Sequence, residues 1–197
     1  MRYGGLAAAL FVLSTSFSLC DPTPSLKAPT MYGTVPDGDT YFSTRLHEHA
    51  WSSASGTDKS KALVEATRAI NALGFRGVKH SVYALLEADP LATEEEIRAA
   101  EESQPDQFPR DESTTVPEAV EFAAYEISHA LLDGRDTEAE LENLGVTSHG
   151  IQSVRVSYDR ASVQTEHIAN GIPSWQAWRF LLPYIDMTGA VKVKRAD

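Results

Sequence analysis

A helical repeat of apolar residues between positions 57 and 73 constrains the fold of this chain more than any other feature. Apolar side chains recur there every three or four positions and fall on one stripe: Ala62, Leu63, Ala66, Ala69, Ile70 and Leu73. Thr57 is a suitable N-cap, and Gly74 follows where the helix should end. The sequence therefore predicts an amphipathic helix over residues 57–73.

Two further helices are predicted on either side of this one. The first covers residues 39–51, capped by Asp37 or Asp39, with apolar residues at helical spacing. The second covers residues 116–133, begins with proline in its first turn and is followed by Gly134. Its stripe consists of small or branched residues that suit close packing: Val120, Ala123, Ala124, Ile127, Ala130 and Leu131. These three helices are expected to form the body of the domain.

The region between these helices, residues 78–115, is less regular and strongly acidic. Residues 82–87 are expected to form a short apolar turn, and Thr93 with Glu96 has the pattern of a capping box before an acidic helix at 94–102. The stretch up to Thr115 is expected to be a loop, with Arg110 and Asp111 forming a local ion pair.

After residue 134 the pattern changes twice. Short helices are expected at 136–144 and from Trp175 to Leu182, and residues 151–158 alternate with the period of a β-strand. A lone strand cannot satisfy its own backbone, so it should pair within a hairpin or with a neighbouring subunit. The predicted fold is mainly α, a small helical bundle with one β-strand or hairpin and extended N- and C-terminal arms.

This pattern divides the chain into three parts. Residues 1–36 form an apolar segment and a proline-rich linker, residues 37–145 the helical body, and residues 146–197 a strand, a helix and a tail for contacts with other proteins.

The apolar N-terminal segment has three possible interpretations. It could dock on a neighbouring subunit, it could be a signal peptide, or it could precede a natural start at Met31. A lipoprotein signal fits poorly, because Leu19 stands before Cys20 where a small residue is required.

The charge of the chain limits its partners. Acidic residues outnumber basic ones by 28 to 17, and residues 93–142 contain 16 Asp and Glu against 3 Lys and Arg. Binding to nucleic acid of any sequence needs Lys and Arg to displace counterions, so this chain is a poor candidate for gripping DNA. An acidic surface could still line a channel through which DNA slides.

Cys20 is the sole cysteine and forms no disulfide within the chain.

Motifs for catalysis or metal binding are absent from the sequence. It has no nucleophile elbow, phosphate-binding loop or His-Glu-x-x-His motif. On the predicted helix, His47 and His49 would point about 200 degrees apart and could not share an ion. We therefore expect no enzymatic activity, no metal and no cofactor.

The isolated histidines and tryptophans have simpler interpretations. His129 is expected to be a hydrogen-bonded residue of the core or an interface, while three other histidines should lie in loops: His80, His149 and His167. The three tryptophans are expected to anchor the core or an interface rather than to stack on bases, since no basic groove accompanies them: Trp51, Trp175 and Trp178.

Several short motifs resemble a family of tailed-bacteriophage proteins that carry the label DnaT-like single-stranded-DNA-binding protein. These motifs are Tyr41-Phe42, Arg45-Leu46, Trp51, the segment 62–73, Phe75-Arg76-Gly77, Val116-Pro117, the segment 124–134, the segment 141–146 and the segment 178–184. The resemblance spans about residues 37–185. This sequence departs from the family pattern at residues 1–30 and at 78–107, where an acidic insertion replaces a shorter loop.

The resemblance implies a head-to-tail adaptor, or connector, of the virion neck. Such subunits are mostly helical, and they assemble as a ring, commonly a dodecamer, beneath the portal. The expected partners are copies of the same chain, the portal protein and a tail or neck protein, with DNA only passing through the channel. The protein would be made in the host cytoplasm and reside in the virion. The alternative is a single-stranded-DNA-binding accessory protein of replication.

Contacts with these partners are expected mainly from residues 146–197. The predicted interface residues are Val154, Val156, Tyr158, Trp175, Trp178, Arg179, Tyr184, Lys192, Lys194 and Arg195.

Overall fold

The computed structural model describes residues 30–145, 148–151, 154–157 and 166–186. The described residues form nine helices and one two-stranded antiparallel hairpin: α1 (Val35–Ser43), α2 (His49–Ser52), α3 (Gly56–Asn71), α4 (His80–Ala88), α5 (Glu94–Ser103), α6 (Glu118–Leu132), α7 (Thr137–Gly145), β1 (Ser148–Ile151), β2 (Val154–Ser157), α8 (Glu166–Ala169) and α9 (Trp175–Leu181). The prediction of a mainly helical fold is confirmed.

Helix α6 is the centre of the core. It packs against α3 on one side and α9 on another, and α2 also contacts it. The predicted stripes of α3 and α6 face each other, and most of their residues are fully buried: Ala62, Leu63, Ala66, Ile70, Val120, Ala123, Ala124, Ile127 and Ala130. The predicted helices 57–73 and 116–133 therefore form within two residues of their expected ends. Ser55, rather than Thr57, caps α3 by accepting a hydrogen bond from the backbone N–H of Asp58.

The predicted helix over residues 39–51 is wrong, because the structure has two helices there. The hydroxyl of Thr34, not Asp37 or Asp39, caps α1 by accepting from the backbone N–H of Asp37 at 3.3 Å. Helix α1 ends at Ser43, and His47 adopts a φ of +59°, which no α-helix accommodates. This break lets the ring of Trp51 turn back into the core, where its exposed fraction is 1%.

Packed structure begins before Asp37, within the stretch predicted to be an extended linker. Tyr32 is 3% exposed, and its backbone N–H donates to the hydroxyl of Thr67 on α3 at 2.9 Å. Its phenolic hydroxyl donates to Asn71 and accepts from the backbone N–H of Phe108. Tyr32 thus joins the stretch before α1 to α3 and to the segment after α5.

The acidic region folds as the helical pair α4 and α5, which contact each other. The short turn expected at residues 82–87 is a full helix, and the predicted capping box of Thr93 and Glu96 is present. The predicted ion pair of Arg110 and Asp111 is wrong. The guanidinium of Arg110 instead donates to the backbone carbonyls of Phe75, Arg76, Gly77 and Gln107. Because those carbonyls converge on one point, a planar group with five donors satisfies them together.

Strands β1 and β2 pair antiparallel, with His149 opposite Val156 and Ile151 opposite Val154. Within the single strand predicted over 151–158, Ile151 is the last residue of β1 and residues 154–157 form β2, so the described part is a hairpin whose strands pair their backbones. The predicted arms, residues 1–29 and 187–197, lie outside the described residues. Within the described ranges, none of the helices combines the length and the apolar character needed to cross a bilayer.

Substitution of Gly38 by alanine should destabilise the fold, because a Cβ built at Gly38 would lie 2.7 Å from Cζ2 of Trp51. Overpacking of this kind should lower the free energy of unfolding by about 1–3 kcal/mol. Gly56→Ala is the matched control, since a Cβ there meets nothing within 4 Å. Chemical denaturation of both variants measures the effect, and equal stabilities would contradict this account of the core.

Candidate interaction site

A polar groove lies where the connection between α1 and α2 meets α6 and the start of α9. Its volume is about 380 Å³. It is lined by Arg45, His47, Glu126, His129, Ala130, Asp133, Arg135, Ser174, Trp175 and Gln176. We call it the α6–α9 groove.

The floor of the α6–α9 groove is a buried carboxylate with two partners. Glu126 is only 2% exposed, although it lies on the apolar stripe of α6. Its Oε1 accepts a hydrogen bond from the hydroxyl of Tyr41 at 2.7 Å and forms an ion pair with Nη1 of Arg45. The guanidinium is partly exposed, whereas the carboxylate is buried. Burial, and secondly the carboxylate of Glu126, raises the pKa of Tyr41, which therefore stays a neutral donor.

Two histidines lie near the groove, and each has one buried ring nitrogen without a hydrogen-bond partner among the described residues. These atoms are Nε2 of His129 and Nδ1 of His167. The ring of His129 stacks on Phe42 with centroids 5.4 Å apart, and His167 meets the ring of Trp175 edge-on at 5.4 Å. Burial lowers the pKa of both imidazoles, and for His129 the charge of Arg45 lowers it further.

The other predicted histidine positions differ from expectation. His167 and His80 lie on helices α8 and α4 rather than in loops, and His149 is on strand β1. His47 is in the break between α1 and α2, whereas His49 starts α2, so the two do not share the predicted helix. Among the described residues, no group of three or more His, Cys, Asp or Glu side chains is placed to hold a metal ion.

The α6–α9 groove combines a paired carboxylate, an exposed aromatic ring and a cation. Glu126 already holds a hydroxyl and a guanidinium, so it is not free to remove a proton from a substrate. Trp175, which is 38% exposed, offers an aromatic surface at the edge of the groove. Arg135, at the other end of α6, donates to the backbone carbonyl of Pro173. These groups can bind an apolar residue with a polar neighbour on a partner protein.

The structure separates the predicted interface residues into distinct environments. Trp175 and Arg179 are exposed on α9, while Trp178 is 3% exposed and packs in the core, so little of its ring remains for a partner. The ring of Tyr184 is half-buried and meets Phe108 at 5.7 Å. Val154 and Val156 lie on strand β2. The remaining four fall outside the described residues: Tyr158, Lys192, Lys194 and Arg195.

Sequence reasoning missed Glu126 and its partner Arg45 as members of this site. The sequence did indicate that Glu126 is buried. It comes three residues after Ala123 and four before Ala130, which places it inside the apolar stripe of α6. A carboxylate at such a position needs a buried partner. The identity of that partner could not be read from spacing, since Arg45 is 81 positions away.

Comparisons with models of protein families, with curated proteins and with solved structures find no match to this chain. The resemblance to phage adaptors therefore rests on the residue pattern described above.

The ion pair of Arg45 and Glu126 should be tested with a double-mutant cycle. Arg45→Met leaves a buried carboxylate without its cation, which should lower the free energy of unfolding by about 2–3 kcal/mol. In the Glu126→Gln background the same change should cost about 1 kcal/mol or less, because no charge is then stranded. Equal costs in both backgrounds, measured by urea denaturation, would show that the two residues do not interact.

Stability should fall as the pH drops below neutral because of His129 and His167. Their folded-state pKa values lie below the ordinary 6.5, so the unfolded chain binds protons more readily than the folded one. This contribution is complete above pH 6.5 and is lost as the pH falls towards the lower folded-state values. A double His129→Gln, His167→Gln variant should show a flatter dependence between pH 7 and pH 5. Thermal unfolding across this range measures it, and an unchanged slope would contradict the assignment.

Proposed function

We propose that this protein is a structural component of a tailed-phage virion, a head-to-tail adaptor that forms a ring beneath the portal and joins it to the tail. The observation that carries the proposal is an acidic helical body that has an exposed aromatic groove. Residues 30–145 contain 23 Asp and Glu against 9 Lys and Arg. A channel wall of this charge lets DNA pass without holding it.

The crowding of acidic groups at the start of α6 supports this argument. Burial raises the pKa of Glu121, and the nearby carboxylates of Asp37 and Glu118 raise it further. Such a surface repels phosphate rather than binding it. It would suit the wall of the channel.

The α6–α9 groove is the surface we assign to contacts between proteins. Trp175 lies at its edge, and Leu46, which is 82% exposed, is flanked in the chain by the groove residues Arg45 and His47. Exposed apolar groups around a polar centre are a common feature of interfaces between subunits.

Single-stranded-DNA binding is the alternative, and the same observations weigh against it. Of the three tryptophans, Trp51 and Trp178 are buried, which leaves Trp175 as the sole indole available for stacking on a base.

Substitution of Trp175 by alanine should weaken assembly without unfolding the chain. The indole is partly exposed, and the loss of an aromatic anchor typically weakens an interface about tenfold or more. Leu91→Ala is the matched control, because Leu91 is 91% exposed and lies between α4 and α5, away from the groove. Sedimentation and electron microscopy of each variant mixed with purified portal rings measure ring formation and docking.

Two results would contradict the adaptor proposal. One is a wild-type chain that stays monomeric and never joins portal rings. The other is tight binding to a labelled oligonucleotide with a steep salt dependence, which would favour the replication accessory protein.

A further inference from the structure

A second groove runs along the outer face of α3, on a different surface from the α6–α9 groove. Its volume is about 530 Å³. Among the described residues it is lined by Met31, Thr57, Ser60, Lys61, Val64, Glu65 and Arg68. We call it the α3 groove. Met31 is 40% exposed there, although methionine is usually buried.

The lining of the α3 groove suits an uncharged apolar ligand. The side chains of Met31 and Val64 line it, together with Lys61 and Arg68, whose aliphatic stems can cover apolar surface while their charges reach water. Among the described residues near it, no group of His, Cys, Asp or Glu side chains is placed to hold a metal ion. From Thr57 to Arg68 the groove extends about 17 Å along the helix axis.

The chain itself contains a segment of matching chemistry. Residues 6–19 carry no charged side chain and include seven large apolar ones: Leu6, Leu10, Phe11, Val12, Leu13, Phe17 and Leu19. The chain that follows this segment enters the described structure at the edge of the α3 groove, where Met31 is one of the lining residues. The occupant is therefore available at high local concentration in any assembly of this protein.

We propose that the α3 groove receives residues 6–19 of a neighbouring copy of the chain. This inference rests on the proposed function, because it requires copies assembled side by side. It names the contact that would link adjacent subunits of the ring.

The direction in which the chain leaves the groove favours a neighbour over the same subunit. Thr30 donates to the carboxylate of Asp106 at 2.9 Å, and Asp106 also accepts from Asn71 at the last turn of α3. The chain before residue 30 therefore starts beyond the C-terminal end of α3.

The linker is long enough to reach an adjacent copy. The 11 residues from 20 to 30 can span at most about 36–40 Å. That reach is about twice the length of the α3 groove, so residues 6–19 can extend beyond their own subunit to the groove of a neighbour.

Cross-linking of the unmodified full-length chain tests this proposal directly. Cys20 is the sole thiol and follows the apolar segment, while Lys61 lies on the groove with its side chain 72% exposed. A short reagent that joins a thiol to an amine should link Cys20 to Lys61 in assembled rings. If light and heavy isotope-labelled copies are mixed before assembly, half of the linked peptides should carry mixed labels.

Matched variants separate docking from chance proximity. Lys61→Arg keeps the charge but removes the reactive amine, so the link should vanish while rings persist. Phe11→Glu should reduce the yield of the link about tenfold, since it places a charge in the apolar contact. Ser16→Glu adds the same charge at a polar position of the same segment and should have a smaller effect.

Four outcomes would overturn the inference. Rings that form without the Cys20–Lys61 link would overturn it while leaving the adaptor proposal intact. Links with only one isotope label would show that the segment occupies the groove of its own subunit. A chain that never oligomerises, or a mature protein that begins at Met31, would also exclude it, and the former would remove the adaptor proposal as well.

Discussion

The close approach of α3 and α6 is the constraint on which the rest of this structure depends. Alanines at the contact, such as Ala66, Ala123 and Ala124, are fully buried and allow the two backbones to come near each other. Large side chains are displaced to the flanks of this contact. On one flank the rings of Phe42 and Trp51 pack at 5.0 Å, and others join them. Helices α1, α2 and α9 lie where they cover these rings.

The α6–α9 groove is a consequence of the same packing. Since α6 presents Glu126 to the interior, the fold must supply a cation, and Arg45 reaches it from the break between α1 and α2. The break in turn exposes Leu46 and directs His47 into the groove. The surface that we propose for contacts with a partner protein therefore lies where the core satisfies a buried charge.

A second aromatic cluster connects the stretch before α1 to the segment that follows the acidic helices α4 and α5. The rings of Tyr32, Phe75 and Tyr184 each contact the ring of Phe108 near the end of α3. This cluster fixes Met31 beside the α3 groove and anchors the segment that leads out of α5. The chain then has two unlike surfaces, the α3 groove and the α6–α9 groove. The ring that we propose would require two such different surfaces on each copy of the chain.

The sequence by itself determined α3 and α6 through their apolar periodicity and α5 through its capping box, because these signals specify a helix locally within 10 to 16 residues. It also determined the acidic charge and the lack of known catalytic motifs. Only the tertiary structure decided that residues 44–48 break the first helix, that Tyr32 belongs to the core, and that Trp178 is buried whereas Trp175 is exposed. Each of these depends on partners far away in the chain, such as Glu126 for Arg45 and Thr67 for Tyr32, and local periodicity holds no information about such contacts.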